Sequence, residues 1–344
     1  MKRKKFKIPT ESDPVFIIAE LSANHNNNFD LAVKTIEAMA ESGADAVKVQ
    51  TYTADSLTLN VDNEFIKPIQ SGPWKGRRLY ELFKEGSLPY EWYPKLIEVA
   101  EKNELIFFAS PFDKEAVDFL DDLDVQLYKV ASPEITDIPL IQCIASKGKP
   151  VILSTGMASE EDIELAVKTM RENGSNDIAL LKCTSEYPAR LSDANLATLP
   201  DLQKKFNCIV GVSDHTDGFI VPSASVVLGA RIIEKHFILD RSLGGLDSFF
   251  SMEPLEFAFM VETVRKTQET IGTIDYTLKE SNKARRRSIF ASRDIRKGEP
   301  ITDENVKVIR PGVGLHPKFF NDILWKKAAK DIPFGTPIFW DSII

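Results

Sequence analysis

Cys208-Ile-Val-Gly-Val-Ser-Asp-His215 and Arg231-Ile-Ile-Glu-Lys-His-Phe237 are two β-rich runs separated by a helical stretch, Pro222 to Leu228. Each run is apolar where it starts and polar where it ends. A run, a helix and a second run at this spacing predict a parallel βαβ unit, because parallel strands need a crossover rather than a tight turn. Upstream the same unit recurs, with runs at Val15 to Glu20, Asp45 to Gln50, Ile106 to Pro111, Leu127 to Ser132, Pro150 to Thr155 and Ile178 to Thr184. Amphipathic stretches such as Phe29 to Ser42, Tyr93 to Asn103, Lys114 to Leu123 and Glu160 to Asn173 lie between them. Eight runs predict a closed (β/α)8 TIM barrel of roughly 250 residues rather than an open doubly wound sheet. A long helix, Leu255 to Ile271, closes the series, so the barrel domain is expected over residues 1–272.

Beyond Gly272 the pattern changes. A polar, basic linker is expected over 273–286, followed by a small β-rich domain over 287–344. Its expected strands are Ser288 to Ala291 and Val306 to Arg310, with turns at Arg296-Lys297-Gly298 and Thr302-Asp303-Glu304-Asn305. A domain of about 60 residues has a marginal core, so docking on the barrel or on a second subunit is expected.

Composition narrows the function classes. The 344 residues hold 51 Asp and Glu against 43 Lys and Arg, a formal net charge of -8. That disfavours a nucleic-acid partner, which needs a concentrated basic face. The three cysteines, Cys143, Cys183 and Cys208, have no paired spacing, so neither a disulfide framework nor a thiolate metal site is expected. No apolar run approaches the roughly 20 residues of a membrane span, and the basic start, Lys2 to Lys5, lacks the apolar segment of a signal peptide. A soluble cytoplasmic protein is expected, with Lys2 to Lys5 a solvated tail.

In a barrel of this kind the chemistry sits where the strands end. Those ends supply Glu20, then Lys48 and Gln50, then Ser110, then Lys129, Ser132 and Glu134, and then Ser154. Lys182, Thr184 and Ser185 follow from the sixth run, Ser213, Asp214 and His215 from the seventh, and Glu234, Lys235 and His236 from the eighth. Strand side chains alternate, so Ser213 and His215 share one face and Glu234 and His236 share another. Two imidazoles at the same height on neighbouring strands can converge on one divalent ion, and a mixed nitrogen and oxygen shell suits manganese, magnesium, cobalt or zinc. Lys48, Lys129 and the serines at positions 110, 132, 154, 185 and 213 describe a pocket for a small phosphate or carboxylate.

The same residues carry a resemblance. Ile-Ala-Glu20-Leu-Ser-Ala-Asn-His25-Asn, Val-Lys48-Val-Gln50-Thr-Tyr, Tyr-Lys129-Val-Ala-Ser132-Pro-Glu134, Ser154-Thr-Gly-Met, Gly-Val-Ser213-Asp-His215-Thr and Glu234-Lys-His236 together resemble the sialic acid synthase family. The tail, Arg287-Ser-Ile-Phe-Ala-Ser through Val308-Ile-Arg310-Pro-Gly, resembles that family's C-terminal antifreeze-like (SAF) domain. Ala-Glu-Leu-Ser-Ala-Asn-His at 19 to 25 and Gln50-Thr-Tyr-Thr-Ala-Asp-Ser-Leu-Thr-Leu-Asn60 are similar to its pseudaminic acid branch, where N-acetylneuraminate synthases more typically read Ala-Glu-Ile-Gly-x-Asn-His. Gly-Leu-Asp247-Ser, in place of Gly-Pro-Asp, and Ser110, in place of threonine, depart from those relatives.

The resemblance implies condensation of phosphoenolpyruvate with a diacetamido 6-deoxy sugar, 2,4-diacetamido-2,4,6-trideoxy-L-altrose, plus water. It implies a divalent metal ion on His215 and His236, Mn2+ first and Mg2+ or Co2+ next, and phosphoenolpyruvate held by Lys48, Lys129, Ser110, Ser132, Ser154, Ser185 and Ser213. Glu20, Glu134 or Asp247 would stabilise developing positive charge or take a proton from water. Gln50 and Tyr187 match sugar-pocket positions, and Phe65 to Arg78 is expected to select the sugar. Arg310 matches the arginine that the small domain sends into the other subunit's barrel, which implies a homodimer with swapped C-terminal domains.

Other readings remain open on the sequence. An N-acetylneuraminate or legionaminate synthase would use the same residues on a different sugar. A Schiff-base aldolase would use Lys129 or Lys182 as nucleophile. A non-catalytic carbohydrate-binding or ice-binding protein would need a flat threonine-rich face, yet residues 285 to 344 hold only Thr302 and Thr336.

Overall fold

The computed structural model describes residues 6–344, so the expected tail at Lys2 to Lys5 lies outside the described residues. Among those residues the chain divides into two compact units that meet in sequence at Gly272 and Thr273. The first is a closed barrel of eight parallel strands in sequential order. They are β1 (Phe16–Glu20), β2 (Ala46–Thr51), β3 (Ile106–Pro111), β4 (Tyr128–Val130), β5 (Val151–Ser154), β6 (Ile178–Cys183), β7 (Ile209–Asp214) and β8 (Ile232–His236). β8 closes on β1 in a register that sets His236 opposite Glu20.

Alternation sorts each strand into two faces. Outward residues such as Val47, Val49, Leu180, Val210, Val212 and Ile233 pack into one core with the surrounding helices. Inward residues at the lower end, Ile18, Ala46, Phe108, Leu127, Ile152, Ala179, Leu181 and Ile232, form a second apolar cluster that fills the barrel, joined by Ile8. The helix Phe29–Glu41 shows how the outer layer is held. Asn28 caps it by accepting from the Leu31 N–H, and Ala32, Thr35, Ile36 and Met39 form its buried stripe. Truncating Ile36 to alanine there is expected to cost about 2–5 kcal/mol.

Two helices that the sequence pattern did not single out, Ile138–Ser146 and Thr198–Phe206, complete the ring. In the first, Ile138-Pro-Leu-Ile-Gln-Cys-Ile is apolar around most of its circumference, which weakens any periodic signal. The fourth strand is shorter than Leu127 to Ser132. It stops at Val130, and Ser132–Thr136 forms a 3-10 turn around Pro133, which has no N–H to offer a ladder. Ser132 and Glu134 therefore stand on a turn above the barrel wall rather than on a strand. Ser185 lies two residues past the end of β6, and His215 one residue past β7.

At Gly211, on the inner face of β7, a Cβ would fall 2.2 Å from the Ile232 carbonyl oxygen and 2.7 Å from Leu181. Only glycine lets β7 lie this close to its neighbours. The pairing above it aligns Ser213 with Glu234 and Asp214 with Lys235.

The second unit pairs β9 (Ser288–Ala291) antiparallel with β10 (Val306–Ile309). Ile289, Ile295, Ile301, Val306, Ile323, Ile332, Ile338 and Ile343 make its core. The stretch 273–286, expected as a linker, carries a short helix, Glu280–Ala284. The turns expected at Arg296 and Thr302 are closed by Glu299 N–H to Arg296 O and by Asn305 N–H to Thr302 O.

Candidate active site

Above the apolar filling, the next inward positions on the strands are polar. They enclose a cavity of about 400 Å³ whose wall includes Glu20, Lys48, Gln50, Lys129, Ser154, Ser213, Glu234 and His236 from the strands. Ser132, Tyr187, His215 and Asp247 join it from the loops. This volume lies within the ordinary range for small-molecule sites.

Lys48 forms the centre of the floor. Its Nζ is 2.8 Å from Glu234 Oε1 and 3.0 Å from Glu20 Oε2, with all three side chains buried. Burial alone would lower the Lys48 pKa, but the two carboxylates outweigh it and raise it. Glu20 also accepts from the Gln50 amide at 2.9 Å. Burial alone would raise the Glu20 carboxyl, but Lys48, His236 and Gln50 prevail and hold it well below the usual carboxylate range. Glu234 accepts a further bond from Ser213 Oγ at 2.8 Å.

Lys129 donates to Ser154 Oγ at 2.6 Å and to the Val130 carbonyl at 2.9 Å. Burial pushes its ammonium down to about 8, against the opposing pull of Glu234. Beside it, Gly156 N–H donates to Ser132 Oγ at 3.1 Å. A Cβ on Gly156 would lie 2.4 Å from Ser185 Oγ and 2.9 Å from Ser132 Oγ, so these two hydroxyls flank one backbone N–H. Two ammonium groups and serine hydroxyls in one wall suit a phosphate or carboxylate. Ser110, on the inner face of β3, is buried with its Oγ unpartnered. The same is true of Glu234 Oε2 and His236 Nδ1. Buried polar atoms left without partners are uncommon, and these three belong to the barrel's polar layer, where a ligand would satisfy them.

The imidazoles of His215 and His236 meet edge to face, with ring centroids 5.2 Å apart and planes inclined by 64°. His215 Nδ1 is bonded to the Thr184 carbonyl at 3.0 Å, which leaves Nε2 of the neutral ring as the lone-pair atom. Burial lowers the His236 pKa and keeps that ring neutral; its Nε2 is 3.3 Å from Glu20 Oε2 and its Nδ1 3.9 Å from Asp247 Oδ2. Among the described residues, no three or more His, Cys, Asp or Glu groups converge as a ready-made metal cage. The donor chemistry nonetheless fits an exchangeable divalent ion whose shell is completed by solvent or substrate. Two imidazoles are present, His236 held neutral by burial and His215 with its pKa raised because contacts with Cys183 and the Thr184 carbonyl outweigh burial. The cavity wall sets three carboxylates, Glu20, Glu234 and Asp247, against two ammonium groups, Lys48 and Lys129. A divalent cation would reverse that balance before an anionic substrate enters.

The Ser22 to His25 segment positions the Asp247 loop. Ser22 Oγ donates to Asp247 Oδ2, and Asn24 Nδ2 donates to the Phe237 carbonyl and to Ser251 Oγ. The apolar side of the cavity comes largely from residues the sequence pattern did not single out. Tyr52, Phe83, Phe112, Leu246 and Phe250 line it, with Trp74 from the long loop that follows β2. The Trp74 indole donates to the Leu246 carbonyl at 3.1 Å and packs near Tyr187 and Phe249. Cys183 also lines the cavity, and strand parity would have named it. Burial alone would raise its thiol, but contacts with His215, Ser132 and Ser185 pull it down to about 7.

Five expected residues stand apart: Ser110 and Ser185 are not part of the cavity wall, and three more lie elsewhere. Glu134 is outside the cavity wall, and burial pushes its carboxyl up to about 7. Lys182 alternates outward from β6 and donates to the Cys183 carbonyl, so it is not presented to the cavity as an aldolase nucleophile would be. Arg310 follows β10 in the second unit.

The NeuB family model matches residues 35–276, more than half of the chain. The chain belongs to the NeuB family. A SAF domain model matches residues 286–344 of this NeuB-family chain. A pseudaminic acid synthase of Campylobacter jejuni is 48% identical over 328 residues, covering 94% of this chain and 95% of that protein. One from Helicobacter pylori is 43% identical over 335 residues, covering 96% and 98%. Among solved structures, the spore coat polysaccharide biosynthesis protein spsE of Bacillus subtilis aligns with a TM-score of 0.67 at 33% identity, covering 99% of both chains. The NeuB-family match and the closed barrel agree with the architecture expected from the strand and helix alternation.

Proposed function

We propose that this chain is a pseudaminic acid synthase. It joins phosphoenolpyruvate to the open-chain aldehyde of 2,4-diacetamido-2,4,6-trideoxy-L-altrose and, with one water, gives pseudaminic acid and phosphate. The observation that carries this reading is one cavity in which a lysine and serine cradle adjoins two imidazoles, in a chain similar along its length to two pseudaminic acid synthases.

The chain's own residues suit each step. Lys48, Lys129, Ser132, Ser154 and Ser213 on the cavity wall hold the phosphate and carboxylate of phosphoenolpyruvate, with Ser110 and Ser185 close behind them. The enol carbon forms a bond to the aldehyde carbon as the carbonyl π pair moves onto the aldehyde oxygen, which takes up a proton to become a hydroxyl, and the neighbouring oxygen-bearing carbon becomes electron-poor. Glu20, held ionised, supports that charge. Water adds there and gives up its proton, and the tetrahedral intermediate expels phosphate by carbon–oxygen cleavage. Asp247, on the cavity wall, is better placed than Glu134 to receive the proton. Gln50 and Tyr187 orient the sugar against the Trp74 side. A divalent ion held by His215 and His236, manganese first and magnesium or cobalt next, would supply Lewis acidity toward the aldehyde oxygen.

The reading includes a homodimer with exchanged C-terminal domains, in which Arg310, within the stretch that the SAF domain model matches, serves the partner's sugar site. The deciding assay strips the protein of ions, restores each divalent ion in turn, and follows phosphate release from phosphoenolpyruvate with each candidate amino sugar. Ion-dependent turnover that strongly favours the 6-deoxy diacetamido sugar is expected. Equal or better turnover of N-acetylmannosamine would reassign the substrate.

A further inference from the structure

We infer that Asp214, Lys235 and Thr216, none of which reaches the cavity, are positioning residues that fix the separation of His215 and His236; the inference rests on the proposed role of those two imidazoles. Asp214 and Lys235 are directly paired across β7 and β8, each immediately before a histidine. Alternation aims the histidines inward and turns Asp214 and Lys235 outward, behind the barrel wall. There Lys235 Nζ lies 2.5 Å from Asp214 Oδ2, with side-chain exposures of 1% and 3%.

The arrangement extends past the strand end. Lys235 Nζ also donates to the Thr216 carbonyl. Thr216 returns its N–H to Asp214 Oδ1 at 3.0 Å and its hydroxyl to both carboxylate oxygens, at 2.9 and 3.1 Å. The carboxylate and ammonium thus clamp residues 214 and 216, on either side of His215, to residue 235, next to His236. A buried pair of this kind is not needed for stability, since apolar residues of similar volume often serve as well. What apolar packing does not supply is directional bonding from one histidine strand to the next, and partners behind ligand residues commonly control ion affinity.

The experiment uses the full-length chain with K235M and T216V. T216V removes only the two hydroxyl bonds to Asp214 and should fold. Calorimetric titration with Co2+ alone is expected to show binding weakened at least tenfold in K235M and at least threefold in T216V, with phosphoenolpyruvate affinity of the ion-free proteins within about threefold of wild type. Ring 15N NMR signals of His215 and His236 in ion-free protein are expected to shift in both variants. Folded variants with unchanged Co2+ affinity and unchanged ring signals would overturn the inference. If K235M fails to fold, T216V decides by the same two readouts. Wild-type protein that binds no ion would sink the metal reading, and the ring signals would then decide the positioning role by themselves.

Discussion

Lys48 and Glu234 meet above β1, which separates their strands, with Nζ 2.8 Å from Oε1 and both side chains buried. The pair ties the anion cradle to the histidine strand. K48M would leave Glu20 and Glu234 buried without their shared cation, a loss expected to cost about 3–5 kcal/mol. Urea unfolding should show that loss together with abolished phosphoenolpyruvate binding. A variant of native stability would mean that Lys48 is not the floor's organising charge.

Glu20 is held ionised, and its contribution is expected in the turnover step rather than in holding phosphoenolpyruvate. E20Q should lower kcat by about 100-fold or more while changing the KM for phosphoenolpyruvate little, as for the loss of other electrostatic stabilisers. A KM effect with native kcat would contradict the role.

Lys129 is charged below a pKa of about 8 and neutral above it. Its grip on an anion should therefore weaken as pH rises through that value. The KM for phosphoenolpyruvate is expected to climb above pH 8 by up to about tenfold per unit, since one proton is involved. K129R stays charged throughout and should flatten the profile. A wild-type KM constant well above pH 8 would be the contrary result. Borohydride added with substrate should trap no covalent adduct on Lys129.

Glu134 gives a stability test. Its folded-state pKa, raised by burial to about 7, exceeds the ordinary glutamate value of 4.5. The protonated form is favoured by folding, so its stabilising contribution is complete below about 4.5 and lost as pH rises through about 7. E134Q should remove that decline, unfolding at higher urea than wild type near pH 8 and at equal urea in acid. It should keep most of the turnover, because Glu134 lies outside the cavity wall.

Gly156 tests the cradle. In G156A the new methyl would press on Ser132 and Ser185. The KM for phosphoenolpyruvate is expected to rise at least tenfold, with about 1–3 kcal/mol of strain. Unchanged binding would remove these hydroxyls from the anion site.

The barrel was legible because inward and outward residues alternate with period two and the helices between them are mostly amphipathic. The same parity that joined Ser213 to His215 sets Glu234 beside His236 and, carried over to β6, names Cys183 on the inner face and turns Lys182, the alternative aldolase nucleophile, outward. Glu234 had been noted only as His236's companion, because its pairing with Lys48 spans residues far apart in sequence. Trp74 fell within the expected sugar-selecting stretch Phe65 to Arg78, but the apolar wall of Phe83 and Phe250 was not legible, since loop residues carry no period and meet only after the loops pack together. Ser132 and Glu134 leave the strand because Pro133 breaks the ladder, a local effect that period-two alternation does not register.

The bond from the Trp74 indole to the Leu246 carbonyl joins the loop after β2 to the loop that carries Asp247. A shift of either loop is therefore passed to the other, so the aromatic side of the cavity and the Asp247 carboxylate keep their spacing together.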